Sequence, residues 1–236
     1  MFRLIVTDYD GTLVPKGKTL SSKFFTKVNM LANRGCIFAV ASGRPYNQLK
    51  KLLSPISAQT VFIANDGAQM MYKNCVLYKK TVCNLKAKEL CAFALDNGLT
   101  PIAALREENK AIKQEHFQLP MFLSSDIFKL IFLKNGKDVI SVKKKAVELG
   151  LRVCFEDDEF LEVCHKDANK GEAVKKLMEK FQITENQMVV FGDGANDVPM
   201  LLLTKNCICP ETAGESAKLV ATGKTENVEE YILNIK

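Results

Sequence analysis

The feature that most constrains this chain is its first apolar run, Leu4-Ile5-Val6-Thr7, which stops on Asp8-Tyr9-Asp10-Gly11-Thr12. An uninterrupted run rich in β-branched residues reads as a strand buried on both faces, the mark of a parallel sheet covered by helices. In an extended backbone, residues two apart point the same way. The carboxylates of Asp8 and Asp10 are therefore expected in one small space at the end of that strand. Two carboxylates so placed repel unless a proton or a cation lies between them. The run thus predicts a fold class and a positive charge at the carboxyl end of its first strand.

The same grammar repeats along the chain. Ser21 or Ser22 can cap a helix carrying Phe24, Val28 and Leu31 on one face, and Gly35 stands where a terminating glycine belongs. Cys36 to Ala41 reads as a second buried strand, ending in Ser42-Gly43-Arg44-Pro45, with Pro45 suited to the first position of a helix. A hydroxyl, a glycine amide and a helix start together make an anion site. Val61 to Ala64 is a third strand, ending in Asn65-Asp66-Gly67-Ala68. Strand alternating with helix is the pattern of a doubly wound sheet, and ligands of such sheets lie at the carboxyl ends of the strands.

From about residue 80 the pattern changes. Leu85 to Asp96 is helical and closes on Asn97-Gly98. Phe128 to Leu133 reads as a strand, and Val139 to Leu149 as a helix. Arg152 to Phe155 and Phe160 to Cys164 form a predicted hairpin around the acidic turn 156–159, a solvated hairpin end rather than a metal loop. Leu105 to Pro120 is polar and unassigned. The hairpin breaks the alternation, so residues 81–164 are expected to be an inserted α+β domain between two halves of an α/β core, 1–80 and 165–236. The core pattern resumes with Asn169 capping a helix that begins at Lys170. The strand Met188 to Phe191 then runs into Gly192-Asp193-Gly194-Ala195-Asn196-Asp197. An apolar helix (Pro199 to Leu203), a strand at Cys207 to Cys209, a last strand at Ala217 to Ala221 and a helix at Val228 to Leu233 complete the chain.

Composition removes several function classes. An apolar fraction of 47% and a charged fraction of 25% are those of a globular protein. The net charge of +6 is spread over many lysines without interleaved aromatics, which suits small anions and argues against nucleic acid. The eight cysteines are scattered without a Cys-x-x-Cys pair and there are two histidines, His116 and His165, so a zinc site has few ligands. Buried free thiols in a reducing compartment are expected. Residue 4 already opens a core strand, leaving no room for a signal peptide, and no apolar run reaches membrane-span length. The expectation is a cytoplasmic protein with no membrane partner, monomeric or a small homo-oligomer.

With Asp193 and Asp197 four residues apart, up to four carboxylates stand at the strand ends. Mg²⁺ answers that set: it takes a few carboxylate oxygens, keeps waters and completes its shell with substrate phosphate. An EF-hand loop fails at either starting point, since Leu13 and Val198 occupy the glycine position. A carboxylate beside such an ion can attack phosphorus, and a second can serve as acid and base; Asp8 and Asp10 supply the pair. Lys170, at a helix head, offers a point charge for phosphoryl oxygens and for the nucleophile.

Asp8-Tyr-Asp10-Gly-Thr12, Ser42-Gly-Arg44, Asn65-Asp-Gly-Ala68, Lys170-Gly171 and Gly192-Asp-Gly-Ala-Asn-Asp197 closely resemble the motif set of the haloacid dehalogenase superfamily, in particular its Cof-type phosphatases with a subfamily IIB cap. The resemblance covers essentially the whole chain, with the cap falling where the foreign segment lies. It implies Asp8 as nucleophile and Asp10 as acid and base, with Ser42 and Lys170 on the transferring phosphoryl group and Asn196 close by. It implies Mg²⁺ held by Asp8, the backbone carbonyl of Asp10 and Asp193, with Asp197 direct or through water. Arg44 would hold the cap interface or the phosphate. Read from the residues alone, His116 and His165 are isolated and take no role, with His165 facing the cleft as the lesser alternative. The stretch Glu211 to Ala217 departs from the family's usual Gly-Asn-Ala, with Glu215 where asparagine is common. The implied activity is hydrolysis of small phosphorylated metabolites, sugar phosphates first. The alternatives are a sugar phosphomutase and a non-catalytic phospho-ligand sensor.

Overall fold

The structure is a computed structural model that describes residues 2–105, 109–113, 115 and 125–236. Its contacts divide the chain into a discontinuous unit, 1–78 with 169–236, and an inserted unit, 79–168. The sequence pattern places those junctions at 80/81 and 164/165, within a few residues at each side.

The first unit opens with β1 (Leu4–Asp8), α1 (Ser22–Asn33), β2 (Ile37–Ala41), α2 (Tyr46–Leu52) and β3 (Thr60–Ala64). Ser21 caps α1 by accepting the amide of Phe24, and Gly35 follows with φ +82°. Pro45 stands one position earlier than expected, as the extended residue before α2. Next comes a hairpin that the pattern did not predict, β4 (Gln69–Tyr72) and β5 (Cys75–Lys79). Its two-residue turn, Lys73-Asn74, has positive φ at both positions, as the right-handed twist of a hairpin demands. β4 runs antiparallel to β3, so the sheet is parallel from β13 through β3 and turns antiparallel at β4.

The inserted unit carries α3 (Asn84–Asp96), β6 (Thr100–Ala104), β7 (Asn109–Ala111), β8 (Lys129–Leu133), α4 (Ile140–Glu148), β9 (Leu151–Glu156) and β10 (Phe160–His165). These strands form a five-stranded antiparallel sheet in the order β7-β6-β8-β10-β9. Leu90, Ala94, Val142 and Ala146 of the two helices pack on Leu130, Phe132, Leu161 and Val163. On the strands' other register positions, Lys129 and Glu162 form an ion pair at 2.7 Å. Asp157 closes the acidic hairpin turn by accepting the amides of Glu159 and Phe160, as expected for a solvated end. His116 lies outside the described residues.

The first unit resumes with α5 (Lys170–Phe181), β11 (Met188–Phe191), α6 (Val198–Leu201), β12 (Cys207–Pro210), α7 (Glu215–Val220), β13 (Gly223–Thr225) and α8 (Val228–Leu233). Ala217 to Ala221, expected as a strand, belongs largely to the helix α7; the strand is the next segment. Only Ala217 of the helix is buried while Leu219 points to solvent, so apolar content alone misled. All eight cysteines are free thiols.

The eight strands run β13-β12-β11-β1-β2-β3-β4-β5. Ile5, Phe38, Phe62 and Phe191 face α1, α2 and α8, while Leu4, Val6, Ala39 and Val190 face α5, α6 and α7. Because β11, β1, β2 and β3 are mutually parallel, the turns that follow them share one edge of the sheet.

Lys170 reaches that edge because α5 starts directly against α6. A Cβ on Gly171 would fall on the carbonyl group of Pro199. Alanine is the better helix former by about 1 kcal/mol, so propensity and packing predict opposite signs. Packing is expected to win: Gly171→Ala should lower the urea-unfolding free energy by roughly 1–3 kcal/mol. Unchanged or higher stability would mean that α5 does not need this approach.

Candidate active site

Each polar turn named from the sequence ends a central strand. Asp8 is the last residue of β1, Ser42 follows β2, Asn65 and Asp66 follow β3, and Asp193 follows β11. Lys170 is the first residue of α5, whose cap Asn169 accepts the amide of Glu172 at 2.9 Å.

The centre is Lys170, 1% exposed. Its Nζ donates to Asp8 Oδ1 at 2.7 Å and to Asp197 Oδ1 at 2.6 Å. The other oxygen of Asp197 accepts the amides of Asp193 at 3.0 Å and Gly194 at 2.9 Å, which closes the loop after β11 on itself. Asp193 accepts the hydroxyl of Thr12, a buried residue to which the sequence reading assigned no role. Gly11 is needed beside it: its φ is +86°, and a Cβ there would stand 2.7 Å from Asp193 Oδ2.

Ligand oxygens of Asp8, Asp193 and Asp197 lie within 4.8 Å of one another. Three carboxylates against one ammonium leave the cluster short of positive charge, and the titration behaviour shows it. Burial pushes the Asp8 carboxyl from 3.8 up to about 8; Lys170 pulls it down, while Asp197 and Asp193 push with burial. Asp193 is also raised, first by burial, against the hydrogen bond from Thr12. Burial works against the charge of Lys170, but Asp8 and Asp197 outweigh it and raise its pKa. This oxygen-only, acid-rich set fits a divalent cation of the magnesium type.

Asp10 lies elsewhere. β1 stops at Asp8, so the same-side rule for residues two apart no longer governs its side chain. The Asp10 carboxylate is not among the oxygens of the Asp8, Asp193 and Asp197 group. Arg44 takes the Asp10 carboxylate in a fork, Nε to Oδ2 and Nη2 to Oδ1 at 2.7 Å each, with its guanidinium 5.7 Å from the ring centre of Tyr9. Ser42 Oγ accepts the amide of Arg44 at 3.1 Å and stands 3.4 Å from Asp10 Oδ2. Arg44 is thus engaged with Asp10, the role not anticipated for it. Asn196 Nδ2 donates at 3.2 Å to Asp66 Oδ1, a buried carboxylate that the sequence reading placed only in a turn. The backbone trace of Gly-Asp-Gly and the acidic charge at both turns were the available signals. His165 is turned onto its own loop, Nδ1 accepting the amide of Asp167 at 3.1 Å. Burial lowers its pKa, against the pull of Asp167.

The first unit is thus a doubly wound α/β sheet interrupted by an α+β insertion, with a buried lysine bridging two carboxylates at its strand ends. The chain belongs to the haloacid dehalogenase-like hydrolase family, whose model matches residues 5–231. It is 26% identical over 220 residues to a phosphoglycolate phosphatase of Thermoplasma volcanium, covering 92% of this chain and 89% of the relative. A haloacid dehalogenase-like hydrolase from Bacteroides thetaiotaomicron has the same fold, with a TM-score of 0.84, 22% identity and 98% of both chains covered. So has a subclass IIB sugar phosphatase, with a TM-score of 0.76, 19% identity and 98% and 97% coverage. Among the described residues no helix is long and apolar enough to cross a membrane.

The charge shortfall has a measurable sign. Without a divalent cation the folded protein keeps a proton on Asp8 that the unfolded chain releases above pH 3.8, so stability falls as pH rises toward 8. The thermal midpoint of wild type relative to Asp8→Asn should therefore fall between pH 5 and 8 in chelator. Mg²⁺ should raise the wild-type midpoint more at pH 8 than at pH 5, the stabilisation reaching about 2.7 kcal/mol at a hundredfold excess over its Kd. Asp193→Asn should abolish the Mg²⁺ shift. A chelator profile that rises with pH, or a shift that survives Asp193→Asn, would remove this cluster as the cation site.

Proposed function

We propose that this chain is a Mg²⁺-dependent phosphatase of small phosphate monoesters, sugar phosphates among them, acting through an aspartyl phosphate on Asp8. The observation that carries the reading is the placement of Asp8. Its carboxylate stands at the end of the central strand with one oxygen 2.7 Å from Lys170 Nζ, and a second carboxylate follows two residues later. The membership in the hydrolase family and the phosphatases among its relatives support the same conclusion.

Mg²⁺, held by Asp8, the backbone carbonyl of Asp10 and Asp193, would neutralise charge on the phosphoryl oxygens and on the nucleophile. Asp197 would join that shell directly or through water, while its hydrogen bonds to Lys170 and to two backbone amides fix the loop and the lysine. An oxygen of Asp8 attacks phosphorus and the ester P–O bond breaks. Asp10 gives its proton to the leaving oxygen, which departs as the alcohol. Asp10 then takes a proton from water, whose oxygen attacks phosphorus; the acyl-phosphate P–O bond breaks, and inorganic phosphate and the Asp8 carboxylate are left. Lys170 and the Ser42 hydroxyl donate to the phosphoryl oxygens, so most of the catalysis is placement and charge neutralisation. Both oxygens of Asp10 accept from Arg44 in the fork, so Asp10 leaves it to present a proton to the leaving oxygen.

With p-nitrophenyl phosphate as substrate, Asp8→Asn should reduce kcat to below about a thousandth of wild type. Asp10→Asn should reduce it roughly 10²–10⁴-fold. Asp10→Asn should unfold as wild type does in Mg²⁺, whereas Asp8→Asn, which removes a partner of Lys170, should be less stable but still folded. A panel of hexose phosphates should release inorganic phosphate; isomer formation in its place would make the protein a mutase, and an active Asp8→Asn would misplace the nucleophile.

A further inference from the structure

Asp66 takes no part in the chemistry above, yet it is buried at the same strand ends, 5% exposed. It sits in the turn after β3, where Asn65, Asp66 and Gly67 have φ of 51°, 55° and 89°. Two successive non-glycine residues in the left-handed region are unfavourable, and such outliers persist where the surroundings over-determine them. Both ends of the Asn65 amide are also buried without a hydrogen-bond partner among the described residues. What holds the turn is its neighbour: Ser42 donates to Ile63 O at 2.9 Å, Asp66 to Ser42 O at 3.0 Å and Asn65 to Arg44 O at 3.0 Å. A Cβ on Gly43 would stand 3.2 Å from Asp66 Oδ2, so glycine leaves room for that carboxylate. A backbone held in an unfavourable shape ends by aiming one carboxylate at Asn196 Nδ2, 3.2 Å away.

That aim has a chemical consequence. A carboxylate only accepts, so the Asn196 amide must turn its nitrogen toward Asp66. Its oxygen then lies on the Gly194 side, where a Cβ would come within 2.9 Å of it. Asn196 is exposed on a short turn, and Asp66 is its side-chain partner. Nδ2 keeps a second hydrogen, which can be donated to an anionic oxygen. A flipped amide would offer oxygen to oxygen and repel the same anion.

We propose that Asp66 is a positioning residue for phosphoryl binding: it fixes the Asn196 amide with its donor end toward the transferring group. The proposal rests on the phosphatase reading above. Since Asn196 would bind the phosphoryl group in ground and transition states alike, its loss of orientation raises KM and leaves kcat nearly unchanged.

The test is a double-mutant cycle in Mg²⁺, read by kcat and KM for p-nitrophenyl phosphate and by the inhibition constant of inorganic phosphate. Asp66→Gly removes the carboxylate and still tolerates the positive φ. Asp66→Asn keeps shape and an acceptor in a backbone region that asparagine adopts readily. Asp66→Gly should raise KM and the phosphate inhibition constant about tenfold, the size of one hydrogen bond to a charged group, with kcat within about twofold. Asp66→Asn should recover part of that loss. In an Asn196→Ala background, Asp66→Gly should change neither constant by more than about twofold. Additive effects would overturn the proposal and mean that Asp66 acts through Lys170, whose charge it also supports. An unchanged KM in Asp66→Gly, or a fall confined to kcat, would overturn it too. A wild type that neither hydrolyses the ester nor is inhibited by phosphate would overturn the phosphatase reading itself, whereas an active wild type with additive variants defeats only the assignment of Asp66.

Discussion

The arrangement at the strand ends depends on one buried ammonium. Lys170 is enclosed with Asp8 and Asp197, and a charge so deep is tolerated only where it is paired and hydrogen-bonded. Everything needed to place it comes from distant parts of the chain. The cap residue Asn169 starts α5, Gly171 lets that helix press against α6, and the parallel register brings Asp8 and the loop after β11 side by side. Asp197 closes this loop with the oxygen that Lys170 leaves over. The lysine thereby also fixes where Asp193 stands. Removing one partner of such a set leaves an uncompensated buried charge, at a cost on the order of 3–5 kcal/mol. A divalent ion placed among these oxygens would relieve the excess of carboxylates.

Most of this was legible because the strands are buried on both faces, and continuous apolar runs such as Leu4 to Thr7 or Met188 to Phe191 mark their own ends. The polar residue after each run therefore falls at the carboxyl edge, and caps such as Ser21 and Asn169 announce the helices that return the chain. Three features were hidden for definite reasons. The hairpin of β4 and β5 turns on Lys73-Asn74, where left-handed backbone occurs without the glycine that normally advertises it. α7 buries Ala217, half-buries Val220 and leaves Leu219 in solvent, so its short apolar run imitates a strand. β13 and β7 are three-residue strands whose polar sequence shows no alternation.

Site residues followed the same division. A residue's position at a strand end could be read from the chain, whereas the direction of its side chain could not. Asp8 and Asp10 look equivalent as a sequence pair, and they differ in exposure and partner because regular extension ends between them. Asp66 and Thr12 belong to motifs that were recognised, but their partners, Asn196 and Asp193, lie more than a hundred residues away. Nothing local to either residue names such a partner.

That separation decides which of the two carboxylates can move. Asp8 is nearly enclosed, with its side chain at 7% exposure, and it shares Lys170 with Asp197; withdrawing it would break a buried set. The side chains of Asp10 and Arg44 are 48% and 35% exposed, so their fork is screened by solvent. Releasing it therefore costs less than breaking the enclosed set around Lys170. A nucleophile gains from being held still and stripped of water, since its attack geometry is then set in advance. A group that must give a proton to one oxygen and take one from another gains from the opposite. The fold divides a pair of identical side chains into a fixed member and a movable one by where it ends a strand.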